Sequence, residues 1–254
     1  MSKRHCIVGW IAVVACVSAA GQTLDQVIAR NVLARGGSEK LKAVETLRES
    51  GTVIMPWGIE APFVVHLKRP NRVRFDFVAH GITFSRASNG TFAWDVNPSD
   101  GNNTSERMDA SDQEELQEMA DFDGPWVDYK QKGNRITLMG KEIVDGVPCY
   151  KLKVVYKNGD TKYFYIDSNS YLVVRQDAMR DILGTKREVI TALRNYRRVD
   201  GVMFAMEAES SFAGAPRPQK MVIDKIEVNT PIQNSDFGMT GVQATDPPPK
   251  SNKP

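Results

Sequence analysis

Beyond the first twenty residues the chain holds two histidines, His66 and His80, and one cysteine, Cys149. His66 alternates onto the polar side of a strand-like run, and His80 precedes Gly81 in a turn. Neither has a second histidine or a carboxylate at a spacing such as His-Glu-x-x-His. Metal and acid–base sites need several converging groups, so no catalytic residue, metal ligand or cofactor is assigned. A single cysteine forms no internal disulfide and no thiolate cluster. There is no Gly-x-Ser-x-Gly elbow, phosphate-binding glycine loop or dinucleotide fingerprint. Glu114, Glu115 and Glu118 read as a solvated helix face. Arg69 is less ordinary. Counting from Val65 and Leu67 places it on an apolar strand face, although a turn at Pro70 gives it a route to solvent. A guanidinium has five donors and keeps its charge, so burial there demands acceptors.

The elements that must position these side chains are mostly strands. Ile59, Ala61, Phe63, Val65 and Leu67 alternate with more polar neighbours, and Val73, Phe75 and Phe77 continue after Pro70-Asn71. Phe92, Trp94 and Val96 alternate after Asn89-Gly90. Together Phe63, Val65, Leu67, Val73, Phe75, Phe77, Phe92 and Trp94 predict one continuous apolar face, which periodicity alone reads as the core of a β sandwich. Leu24, Val27, Ile28 and Val32 predict a helix stopped by Gly36-Gly37. Ser38 is placed to cap a second, short helix, and Ser111 with Glu114 a third. Later strands follow at turns such as Asp145-Gly146, Asn158-Gly159 and Asp200-Gly201. Regular strands without crossover helices predict an antiparallel sheet, sandwich or barrel.

The ends suggest export. Lys3, Arg4 and His5, the uncharged run from Ile7 to Val17, and small Ser18-Ala19-Ala20 have the order of a signal peptide. The expected organisation is a signal peptide at 1–20, a single domain at 21–244 and a disordered tail at 245–254. A second route stays open, because Val13-Val14-Ala15-Cys16 resembles a lipobox that would anchor the protein through a lipid on Cys16. The whole chain carries 33 basic and 31 acidic residues. Loss of Lys3 and Arg4 leaves the remainder neutral, with no overall electrostatic case for nucleic acid.

The run Leu67-Lys68-Arg69-Pro70-Asn71 with Val73 and Arg74-Phe75, followed by Ser88-Asn89-Gly90, Trp94 and Asn97-Pro98, resembles the pattern of the LolA family of periplasmic lipoprotein carriers. The later Gly140, Asp145-Gly146, Tyr150-Lys151-Leu152 and Tyr165-Ile166-Asp167 resemble the wider set of LolA-like proteins. The resemblance implies a mainly β protein with a few helices (α+β), folded as a half-open antiparallel β barrel with a helical lid. It implies a non-enzymatic periplasmic carrier of acylated lipoprotein or a related lipid, with an inner-membrane exporter and an outer-membrane acceptor as partners. It makes Arg69 a lid latch and the eight apolar residues above the cavity. Val73 departs from a phenylalanine of the family, and Pro98–Trp126 follows the pattern loosely. The alternatives are an envelope sensor of the RseB kind and an enzyme built on His66 with carboxylates facing the cavity.

Overall fold

A computed structural model describes residues 22–98, 104–182 and 184–239. The leader, Cys16 and the tail from Thr245 lie outside the described residues. No described helix is long and apolar enough to cross a membrane.

The predicted opening helix forms as α1 (Leu24–Ala34), with Thr23 and Gln26 making reciprocal capping bonds. Gly36 (φ +122°) and Gly37 (φ +92°) break it. A Cβ on Gly36 would stand 2.3 Å from the Gly201 carbonyl oxygen, so only glycine fits there. In α2 (Ser38–Lys42) the N-cap is Gly37 and carries no side-chain cap, so Ser38 opens the helix rather than capping it. In α3 (Ala110–Met119) the cap is Asp109, whose side chain accepts from the Asp112 amide, and the Ser111 side chain lies outside the description.

The strands are β1 (Thr46–Ile54), β2 (Glu60–Lys68), β3 (Arg72–Ala79), β4 (Ile82–Ser88), β5 (Ala93–Val96), β6 (Glu106–Arg107), β7 (Arg135–Val144), β8 (Val147–Val155), β9 (Thr161–Asp167), β10 (Val173–Ile182), β11 (Thr185–Val199), β12 (Val202–Phe212) and β13 (Gln219–Val228). They form one antiparallel sheet in the order β6-β5-β4-β3-β2-β1-β13-β12-β11-β10-β9-β8-β7. Its two ends do not pair, so the barrel is open.

The helices pack on one face of this sheet. Leu41 of α2 and Leu116 of α3 join Phe63, Val65, Leu67 and Val73 in one core, while Val27 of α1 joins Leu152, Val154 and Phe164 in another. The sheet curls strongly around α3. Arg86 of β4 reaches Asp112 at 3.9 Å and Arg180 of β10 reaches Glu115 at 3.5 Å, one helical turn apart. In a flat sheet β4 and β10 would stand seven strand steps, about 34 Å, apart.

On the β10 side, α1 is fixed through Asn31, which is fully buried. Its Oδ1 accepts from the Trp126 indole N–H (2.9 Å), and its Nδ2 donates to the Tyr171 carbonyl (2.7 Å). Replacing Asn31 with Leu strands both partners and should lower stability by about 2–3 kcal/mol. Urea unfolding should show this as a lower midpoint with an unchanged slope.

Candidate functional site

The inner face of the sheet follows from register. Leu47, Glu49 and Val53 of β1 stand opposite Leu67, Val65 and Ala61 of β2, which in turn meet β3 at Leu67–Val73, Val65–Phe75 and Phe63–Phe77. Thus Phe63, Val65, Leu67, Val73, Phe75 and Phe77 do share a face, and the helices cover it. Phe63, Val65, Leu67 and Val73 are at most 5% exposed, because Leu41, Val44, Leu116 and Ala120 pack onto them. They are packed core here, not open wall. Phe77 stacks on Phe84 at 4.8 Å, and Phe75 reaches open space.

Trp94 and Phe92 require correction. Trp94 pairs with Ala87, Ala87 with Arg74 and Arg74 with His66, so Trp94 lies on the outer face. There its indole N–H donates to the Phe237 carbonyl (3.1 Å) beneath a 3-10 turn, Asn234–Phe237. Phe92 lies under Arg107, the residue that pairs with Trp94. The turn from Asn89 to Phe92 resets the alternation, so parity counted from β3 does not carry into β5.

The open space is beneath α3. A hollow of about 420 Å³ is bordered by Phe75, Leu116, Ala178, Val189, Phe212 and Met221. A neighbouring hollow of about 410 Å³ is bordered by Arg35, Tyr156, Phe164 and Phe204. Both share Glu115, Met119, Gln176, Arg180 and Leu193, so they meet under the helix.

Two sets of charges hold α3 over this trench. The first grips the turn that follows the helix. Arg69 donates from Nε to the Val44 carbonyl (2.7 Å) and from Nη2 to the Leu41 carbonyl (2.9 Å). It also makes a bidentate pair with Asp123 (2.7 and 2.6 Å), and its guanidinium lies 4.6 Å from the Phe122 ring centre. The Asp123 bond raises the Arg69 pKa further, so the cation is permanent. Arg35 donates to the Phe122 and Asp123 carbonyls, and Lys132 binds Asp121 and the Gly124 carbonyl. The second set joins the helix to the sheet. Glu118 accepts from Lys162 of β9 and from Arg180 (3.0 Å), while Glu115 adds a contact to Arg180. Glu118 is therefore not on a solvated face: its side chain is 17% exposed. Burial lowers the Lys162 pKa while Glu118 opposes that shift.

Sequence reading also missed Glu49. It alternates with Leu47 onto the inner face, opposite Val65 and Ile226. It is partly buried and has no hydrogen bond or ion pair among the described residues. Burial alone pushes its carboxyl from 4.5 to about 7. The signal was the period-two run from Leu47 to Val53.

No protein-family model matches the sequence, and neither does any curated protein. Solved structures do. A DUF1329 family protein from Desulfovibrio piger superposes with a TM-score of 0.55 at 14% identity, covering 84% of this chain and 97% of that one. A LolA superfamily protein from Nitrosomonas europaea gives 0.55 at 12% identity, covering 79% and 94%. A domain assigned to an outer membrane lipoprotein-sorting protein from Vibrio parahaemolyticus gives 0.54 at 12% identity, covering 83% and 94%. The chain therefore has the LolA-like fold: an open antiparallel sheet curled around helices.

Two outcomes test the geometry. Arg69→Leu leaves Asp123, 10% exposed, without its cation, at a cost of about 2–3 kcal/mol after allowance for partial exposure. Hydrogen exchange should speed up across α3 and residues 121–124 and stay slow in β8 and β9. Glu49→Gln tests the second. An acid whose folded pKa is raised destabilises as pH rises from its unfolded value through its folded one. Wild type should therefore lose stability relative to Glu49→Gln between pH 4.5 and about 7, by up to about 3 kcal/mol, with equal melting temperatures at pH 4.

Proposed function

We propose that the protein is a non-enzymatic carrier of the cell envelope, which shelters acyl chains of a lipoprotein or related lipid in the trench between α3 and the sheet. The observation that supports this most is the trench itself. Its hollows, about 410 and 420 Å³, fall in the size range of ligand sites. An apolar floor (Phe75, Leu193, Phe212) and an apolar roof (Leu116, Met119) face each other across it. Each buried methylene contributes about 0.8 kcal/mol, so part of one chain suffices for binding. Wider opening needs α3 to leave its place, which also uncovers Phe63, Val65 and Leu67. Arg69 is then the latch, and its release from Asp123 and the α2 carbonyls accompanies loading. Water is a poor acceptor for the chain, so delivery needs a receiving protein toward the outer membrane. The LolA-like fold supports an envelope setting and an exporter upstream.

Native mass spectrometry of protein purified from the periplasm tests this. The expected result is a co-purified lipid or lipopeptide. Ala208, which pairs with Leu193 and Met221 on the trench floor, supplies the control. Ala208→Trp should fill the hollow and lower affinity for a neutral chain probe at least tenfold, with an unchanged circular dichroism spectrum. A bound peptide without lipid would instead indicate a sensor.

A further inference from the structure

The two hollows of the trench continue into a third, of about 610 Å³. It flanks α3 along Glu114, Gln117 and Glu118, which form one helical stripe. Its other walls are the Pro70-Asn71 bend and the turn from Tyr156 to Asn158. It shares Glu118, Asp121, Pro125 and Tyr156 with the hollow at Arg35 and Phe204. Polarity rises along this path. The hollow at Phe75 has an apolar floor and roof, whereas every residue bordering the third hollow except Pro70 and Pro125 has a polar side chain.

The turn after β8 carries the junction. Gly159 (φ +98°) reverses the chain, and the Asn158 amide donates to Glu114 Oε2 (2.7 Å), which ties the turn to α3. Tyr156 thereby borders both hollows, with the Lys162 ammonium 5.3 Å from its ring centre. Most polar groups nearby are engaged. Asn134 donates to the Pro125 carbonyl, Asn71 to the Gly90 carbonyl and Lys132 to Asp121. Two groups at the junction are not. The Tyr156 hydroxyl makes no hydrogen bond among the described residues. Burial, and then the Glu118 charge, raise its pKa, so it keeps its proton and can donate. Glu118 Oε2 takes Lys162 and Arg180, but Oε1 is buried without a partner. A buried acceptor left unmatched is costly. It is sealed while α3 is seated, and the shift of α3 that admits a chain uncovers it.

We propose that Tyr156 and Glu118 read the linkage at which an acyl chain joins its head, with the tail in the trench and the head in the third hollow. Tyr156 donates to the linkage carbonyl, and Glu118 Oε1 accepts from a neighbouring N–H or O–H. This rests on the carrier reading and adds the chemistry of the head. The ligand is neutral at this point and carries a carbonyl with a donor beside it. An N-acylated peptide end or a monoacylglycerol supplies both. A fatty carboxylate has no such donor and is repelled by Glu118.

The test measures displacement of a neutral, chain-like fluorescent probe from the full mature protein. Competitors of one chain length are N-dodecanoyl glycinamide, monododecanoylglycerol and dodecyl methyl ether, which has neither carbonyl nor donor. Wild type should bind the amide or the glycerol ester about tenfold more tightly than the ether. Tyr156→Phe should cut that preference to about threefold or less and leave the ether affinity unchanged. Gln117→Trp, which fills the third hollow from the helix side, should do the same. Preference for the amide supports an acylated peptide as the source, preference for the glycerol ester supports an acylglycerol, and equal affinity supports recognition of the linkage alone. No preference in wild type, or an unchanged preference in either variant, overturns the assignment and leaves the carrier reading standing. Loss of ether binding in Tyr156→Phe makes Tyr156 structural and also overturns it. Failure of wild type to bind the neutral probe removes the carrier reading together with this one.

Discussion

The turn from Asp121 to Gly124 must be held against the sheet if α3 is to cover the trench, and three cations hold it. Arg69 takes the Asp123 carboxylate, Arg35 the carbonyls of Phe122 and Asp123, and Lys132 the Asp121 carboxylate. The same guanidinium of Arg69 also accounts for the Leu41 and Val44 carbonyls at the end of α2. A helix end leaves its last carbonyls without partners, and a buried guanidinium needs several acceptors. Each requirement answers the other. One side chain thereby couples α2, the turn after α3 and the start of the Pro70 bend.

Charge pairs of this kind suit a part that moves. Removing two charges from water nearly cancels what their attraction returns, so a paired ion cluster fixes position more than it adds net stability. Glu118 with Lys162 and Arg180 obeys the same logic on the other side of the helix. The apolar contacts of α3 are few, with Leu116 and Ala120 buried and Met119 41% exposed. In the carrier proposed above, a lipid that supplied apolar contacts to the floor would replace much of what α3 loses on leaving. On that proposal the packed face of β1 to β3 would pass from core to cavity wall without any change in the sheet.

Strands and their faces were legible wherever alternation ran unbroken. From Ala61 to Leu67, and from Val73 to Phe77, period-two patterning assigned the inner face correctly, because side-chain direction is fixed by the pleat. It failed at Trp94, where the turn after Asn89 reset the parity. The openness of the sheet came from the family resemblance and not from periodicity, which left sheet, sandwich and barrel open, and neither said which helix the sheet curls around. The Glu118 cluster was illegible because its partners, Lys162 and Arg180, are 44 and 62 residues away. Sequence spacing shows only the exposed-looking Glu-rich helix. Glu49 was legible in principle, as the one acid on the inner positions of β1.

The central claim is that α3 is a tethered cover which moves when an acyl chain enters. Spin labels on α3 at Gln117→Cys and on β10 at Met179→Cys measure its displacement, with the native Cys149 fully buried and out of reach. On adding a lysophospholipid at saturating concentration, the account predicts that the interlabel distance lengthens and its distribution broadens. Lipid bound at full occupancy with an unchanged distance would contradict it.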